Sequence, residues 1–243
     1  MKRLILIGFF LNLLVVPLFA SPGLQGVLDN ITLSPVAGSS SINVATDTIT
    51  DGQDAYWALE ASGGSVATII TGMGASVSSF GVFDRTNPLK FVQLFSGTGV
   101  SGDQALLSIK ANGSVYVNFV DTGVDFAGNS FGYYLNLSNV GITTAPDIRY
   151  YSDTTLNIDT ADHMFAEQGL GKDTVQINGL LPGLWGTGEY VLGWEDMYGG
   201  GDKDYDDFVI MVESVQPDPI PEPATIALFS LGLLALLRKK RPN

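Results

Sequence analysis

Seven carboxylates crowd the stretch WEDMYGGGDKDYDDFVIMVE, Trp194 to Glu213. They are Glu195, Asp196, Asp202, Asp204, Asp206, Asp207 and Glu213, and the only cation among them is Lys203. Asp202, Asp204 and Asp206 are spaced by two. On an extended strand such residues share a face, with side chains about 7 Å apart. In a tight loop they converge instead, and Gly199, Gly200 and Gly201 let the backbone enter one at positive φ. Alternating acids in a glycine-bearing loop suit a hard cation, because Ca2+ takes six to eight oxygens at about 2.3–2.6 Å. Without a cation, carboxylates within about 5 Å repel one another and raise each other's pKa. Ca2+ is therefore the expected cofactor, with Asp202, Asp204, Asp206 and Asp207 as its first candidate ligands. Glu195 or Asp196, placed before the glycines, can fold back as a further oxygen donor. The plainer reading is a solvated acidic turn that aids solubility and blocks edge pairing.

Counted from Asp202, the acids Asp204, Asp206 and Glu213 fall on the third, fifth and twelfth positions of a helix-flanked calcium loop. The sixth position is Asp207, where that loop needs glycine, and the apolar run Phe208 to Val212 reads as a buried strand. A strand-flanked calcium loop is the reading that survives.

The elements that position this loop are strands. Between Leu24 and Val215, short apolar runs recur with turn residues between them. The expected strands are 56–61, 66–71, 77–83, 90–95, 105–110, 114–121, 131–137, 148–152, 174–178, 189–194 and 207–215. Alternation puts Val115, Val117 and Phe119 on one face, and Tyr133, Leu135 and Leu137 on another. Asn112-Gly113 marks a two-residue hairpin with both residues at positive φ. No stretch of twelve body residues carries a 3.6-residue period. The expected fold class is all-β, a jelly-roll-like β-sandwich forming one domain over 24–215. Its roughly 190 residues bury a core large enough to hold without cross-links.

Composition excludes several functions. There is no cysteine, so disulfides, thiolate metal sites and thiol catalysis are absent. Six of the 12 basic residues are terminal, and all 25 acids lie between Asp29 and Glu222, so the body is near −19. Such a body repels phosphate backbones, and nucleic acid is not an expected partner. Gly97 to Gly102 fits Gly-x-Gly-x-x-Gly, but no strand-helix unit surrounds it. Gly128 to Gly132 fits a nucleophile elbow, yet a strand follows it in place of a helix. His163 is the only histidine, which leaves a serine hydrolase one candidate base. No catalytic residue is assigned and the protein is not expected to be an enzyme. Exposed Tyr133, Tyr134, Tyr150, Tyr151 or Trp185 would suit the alternative of a carbohydrate-binding module. A glycoside hydrolase built on carboxylate pairs is the third reading.

Two addressing segments bracket the body. Lys2 and Arg3 precede the apolar Leu4 to Phe19, and Ala20 precedes Ser21 and Pro22. Residues 1–20 read as a secretory signal peptide, so a signal peptidase is an expected processing enzyme. At the other end, 216–223 is Pro-rich and holds Pro221-Glu222-Pro223. The apolar 224–237 follows, and then 238–243 with Arg238, Lys239, Lys240 and Arg241. The apolar run, about 21 Å as a helix, is a short transmembrane segment whose basic tail stays cytoplasmic.

Pro-Glu-Pro, a short apolar helix and a basic end in that order resemble a PEP-CTERM sorting signal. The resemblance implies an exosortase that cleaves near the motif, transient membrane anchoring, and delivery to the cell surface or exopolysaccharide matrix of a Gram-negative bacterium. A second resemblance spans about Phe131 to Val215. Tyr151-Ser152-Asp153, Leu156-Asn157, Asp162-His163, Glu195-Asp196 and Asp202 to Asp207 are similar to the pattern of domain-of-unknown-function family 4114. Trp194 stands where that pattern has Phe, and Asp206 where it has Asn. This family implies a β-rich surface module with no established enzymatic activity. If its two segments are neighbours, Asp159, Asp162 and Asn157 can supply oxygens to the same cation, with Asp159 the foremost of them. His163 is expected to be a structural hydrogen-bonding residue. Together these readings describe an exported, surface-sorted, non-enzymatic calcium-binding protein with a structural or adhesive role in the cell envelope.

Overall fold

The alternating runs fold as antiparallel strands in a computed structural model that describes residues 23–218, except 51, 61–62, 75 and 139–146. The expected signal peptide, the PEP motif, the segment 224–237 and the basic tail lie outside the described residues. Among the described residues no helix is long and apolar enough to cross a membrane.

The described chain starts with helix α1 (Gly23–Ile31), strand β1 (Thr32–Ser34) and a short helix α2 (Val44–Asp47). Next come β2 (Trp57–Leu59), β3 (Ser65–Ile69), β4 (Val77–Asp84) and β5 (Asn87–Ser96). They are followed by β6 (Gln104–Ile109), β7 (Ser114–Val117), β8 (Val120–Asp125) and β9 (Ser130–Ser138). β10 (Asp147–Tyr151), a 3-10 turn (Thr154–Leu156), β11 (Met164–Gln168), β12 (Thr174–Val175) and β13 (Gly183–Leu184) lead to the last three strands. These are β14 (Glu189–Trp194), β15 (Phe208–Glu213) and β16 (Val215–Pro217).

Two larger sheets share one core. One runs β11-β14-β15-β3-β6-β7-β8, and the other β16-β2-β9-β4-β5, with β10 also paired to β9. Trp57, Phe80, Tyr133, Leu135 and Tyr150 of the second sheet pack with Ile69, Leu107, Leu192, Phe208 and Ile210 of the first. A third layer covers the outer face of β14 and β15. There Leu24, Leu28 and Ile31 of α1 join Val191, Val209, Met211 and Trp185, beside the small sheet β1-β12-β13. This second cover explains why Phe208 to Val212 is apolar without interruption: alternate residues of β15 face two different cores.

Several local expectations are corrected. α1 buries Leu24, Leu28 and Ile31 at helical spacing, but its nine residues are too few for a twelve-residue window. β11 was not among the expected strands. The run 114–121 breaks at Asn118 and Phe119, whose φ of 50° and 68° make the two-residue turn between β7 and β8. Phe119 therefore leaves the shared face expected for it and is 85% exposed. A hairpin forms at Asn112-Gly113, but its turn lies one residue earlier: the Gly113 N–H bonds the Lys110 carbonyl, so Ala111 and Asn112 are the central residues and only Gly113 takes a positive φ.

β16 runs through Gln216 and Pro217, two residues expected in the linker, and pairs with β2. Asp218 closes this end of the body. Its N–H donates to the Tyr56 carbonyl at 2.7 Å, and its carboxylate accepts from Arg85 Nη1 at 2.8 Å.

Candidate metal centre

The acidic segment is the connection between β14 and β15, which pair from Glu189–Glu213 to Trp194–Phe208. It therefore emerges at one end of the seven-stranded sheet, anchored on both sides by the ladder. Five of its residues adopt positive φ: Gly199, Gly200 and Gly201, then Lys203 and Tyr205. The turn is tight enough that a methyl group on Gly201 would lie 2.0 Å from Glu195 Oε1. Only glycine leaves room for that carboxylate. Tyr205, between the acids, is buried and stacks on Phe165 at 3.8 Å, while its hydroxyl donates to the Asp162 carbonyl. Its φ of 54° is a strained conformation for a bulky residue, held by that anchor. The N-terminus of α1 closes another side, with the Leu24 N–H on the Asp204 carbonyl at 2.7 Å.

The carboxylates gather in two groups of three. Glu195, Asp202 and Asp204 offer oxygens within 4.8 Å of one another, and so do Glu195, Asp196 and Asp207. Two oxygens on one Ca2+ stand at most about 5 Å apart, so both spacings suit it. Glu195 belongs to both groups. Its side chain is fully buried; Oε2 accepts the Lys203 N–H at 3.0 Å, while Oε1 has no hydrogen-bond partner. Asp207 Oδ2 accepts the Asp196 N–H at 2.9 Å, and Asp196 Oδ2 accepts the Ser76 hydroxyl. Burial, and then the neighbouring Asp207 carboxylate, push the Glu195 carboxyl well above the ordinary range. Burial and the charge of Asp206 push Asp204 up likewise.

The other expected ligands are placed differently. Asp206 donates its N–H to Asp204 Oδ1 at 3.4 Å and lies in neither group. Asp159 is also outside both; its Oδ2 accepts the Gly199 N–H at 2.7 Å and faces His163 Nε2 at 3.0 Å. Burial works against the Asp159 carboxylate, but these donors outweigh it and hold the pKa below the usual value. His163 is fully buried and lies flat on Tyr150, ring centroids 3.4 Å apart. Its Nδ1 is 2.9 Å from the Glu195 carbonyl oxygen. A backbone carbonyl only accepts, so Nδ1 is the donor in that contact. Asn157 stitches its own loop, accepting from the Tyr151 N–H and donating to the Ala161 carbonyl. Asp162 accepts the Met164 N–H. The segment 153–163 thus positions Glu195 and Gly199 through His163 and Asp159.

The five aromatic residues named for sugar stacking are not exposed. Tyr133, Tyr134, Tyr150 and Trp185 are buried, and Tyr151 is half-buried against Phe83. Sequence reasoning also missed Ser76 and α1, which touch the site from outside its own segments. Their partners lie 120 and about 180 residues away along the chain, beyond any local pattern.

Residues 127–215 match the model of the Domain of unknown function (DUF4114), and residues 219–241 match the PEP-CTERM protein-sorting motif. The chain carries both. The DUF4114 match takes in β9 to β15, and with them every carboxylate of the two groups. α1 and Ser76 precede it, so the site draws its closing contacts from outside the DUF4114 region. The PEP-CTERM motif marks an exported, surface-sorted protein with an exosortase as processing partner. No curated protein and no solved structure matches the chain.

Proposed function

We propose that this is a non-enzymatic β-sandwich of the cell envelope or exopolysaccharide matrix whose β14–β15 loop holds Ca2+. Its role is structural or adhesive, on the surface of a Gram-negative bacterium, after a signal peptidase and an exosortase have acted. One observation carries the calcium reading. Glu195 Oε1 is fully buried without a hydrogen-bond partner, in a loop shaped around it by Gly201, and the Glu195 carboxylate lies within reach of Asp202 and Asp204. A buried carboxylate oxygen left unpaired is costly, and a cation supplies its missing partner. The donor set is all oxygen, which suits Ca2+ over softer metals.

Glu195, Asp202 and Asp204 would hold the ion, and the ion would fix the long connection between two central strands. The test is calorimetric melting of the exported protein with calcium and with chelator. A ligand that binds only the folded state stabilises it by RT ln(1 + [L]/Kd), about 2.7 kcal/mol at a hundredfold excess over Kd. Asp204→Ala removes a ligand of this trio and should reduce the shift. Identical melting in calcium and chelator returns the loop to a solvated acidic turn.

A further inference from the structure

We propose that the loop holds two divalent cations sharing the Glu195 carboxylate, one with Asp202 and Asp204 and the other with Asp196 and Asp207. This rests on the calcium reading above and goes beyond it in number and in ligand partition.

The geometry divides the acids. Each trio meets the spacing a single ion allows, and Glu195 is the sole member common to both. Asp202 and Asp204 follow the glycines in the middle of the loop, whereas Asp196 and Asp207 lie at its two ends, next to the strands. Two metal ions bridged by one carboxylate sit about 3.5–4 Å apart, a separation that a single buried carboxylate can span.

Charge points the same way. Among the described residues, the ion pairs reach Asp218 and Asp159, and none reaches Glu195, Asp196, Asp202, Asp204 or Asp207. Lys203, the one cation of the loop, contributes its backbone N–H to Glu195 and is exposed. One divalent ion brings two positive charges to these five carboxylates, whereas two ions bring four. The second trio is the drier: Asp196 and Asp207 are both half-buried, while Asp202 is exposed. An uncompensated charge costs most where water is scarce, so the pair beside Ser76 is the one that a single ion on the glycine side would leave worst served. The existing contacts leave Asp196 and Asp207 able to bind. Ser76 and the Asp196 N–H engage Oδ2 of each, so a carboxylate has one oxygen fixed and its orientation set.

The test is a count of bound calcium on the exported protein by native mass spectrometry and equilibrium dialysis. Wild type is compared with the isosteric pairs Asp202→Asn with Asp204→Asn, and Asp196→Asn with Asp207→Asn. Asparagine keeps an acceptor for the Ser76 hydroxyl and for the Asp196 N–H. The expected result is two ions in wild type and one in each pair variant. One ion in wild type overturns the shared site and leaves the calcium reading standing; no ion overturns both. Loss of both ions in either variant, with its fold intact by near-ultraviolet circular dichroism, overturns the partition into two trios. The wild-type count decides the number of ions even if a variant does not fold.

Discussion

Glu167 gives a pH dependence that can be worked through from the structure. It lies on β11, fully buried, with Oε1 accepting the Thr48 hydroxyl and Oε2 without a partner. Burial, opposed in part by Thr48 and reinforced by the charge of Asp47, pushes its carboxyl from 4.5 up to about 7. The folded protein therefore holds this proton about 300-fold more tightly than the unfolded chain, on the order of 3 kcal/mol. Because the folded value is the higher one, the sign is fixed. The contribution is fully present below pH 4.5, falls as pH rises, and is lost above about 7. Glu167→Gln keeps the acceptor for Thr48 and cannot ionise. Urea unfolding of both proteins in chelator, at a series of pH values from 4 to 8.5, isolates the effect, because the acidic loop titrates equally in each. The variant should match wild type near pH 4 and exceed it by on the order of 3 kcal/mol at pH 8.5. Two stability curves that stay parallel across this range would refute the assignment of a buried, proton-holding Glu167.

Other perturbations probe the remaining layers. Gly201→Ala places a methyl group against Glu195 Oε1 at positive φ, and should cost roughly 1–3 kcal/mol and weaken the calcium-dependent shift in melting; an unchanged thermogram in both conditions contradicts the packing described. Leu28→Ala empties a fully buried position of α1 and should destabilise by about 2–5 kcal/mol in chemical denaturation, whereas a loss below 1 kcal/mol would make α1 dispensable. Arg149 lies 3.7 Å from the Phe91 ring and 4.6 Å from that of Tyr134, and donates to Asn136. Its replacement by Ala should cost about 1–2 kcal/mol, and Lys should not restore it, since the planar group both stacks and donates.

Sequence alone reveals the strands wherever a strand meets one core. β9 and β14 fall within a residue of the expected bounds, because their turn residues are as clear as their apolar ones. It is less informative where a tertiary contact decides. α1 is legible only once the outer face of β15 is known to need a cover, and β11 mixes Glu167 and Gln168 into a buried strand. Phe119 occupies a left-handed turn position that its side chain disfavours, so Asn112-Gly113 looked the better two-residue turn. In the candidate site, Asp202, Asp204, Asp207, Glu195 and Asp196 were visible as acids near glycines. Their division into two trios was not, since it depends on how the loop folds back over Glu195. Asp159 was grouped with them by residue type, yet its place is beside His163.

The closure at Asp218 leaves almost no slack in the chain. The sorting motif starts at residue 219, and from the Cα of Asp218 to that of Pro221 a fully extended backbone reaches at most about 11 Å. An enzyme gripping Pro221-Glu222-Pro223 therefore works against the flank of a finished sandwich. A catalytic cleft recessed further than that reach is entered only after Arg85 lets go and the last strand unzips from β2.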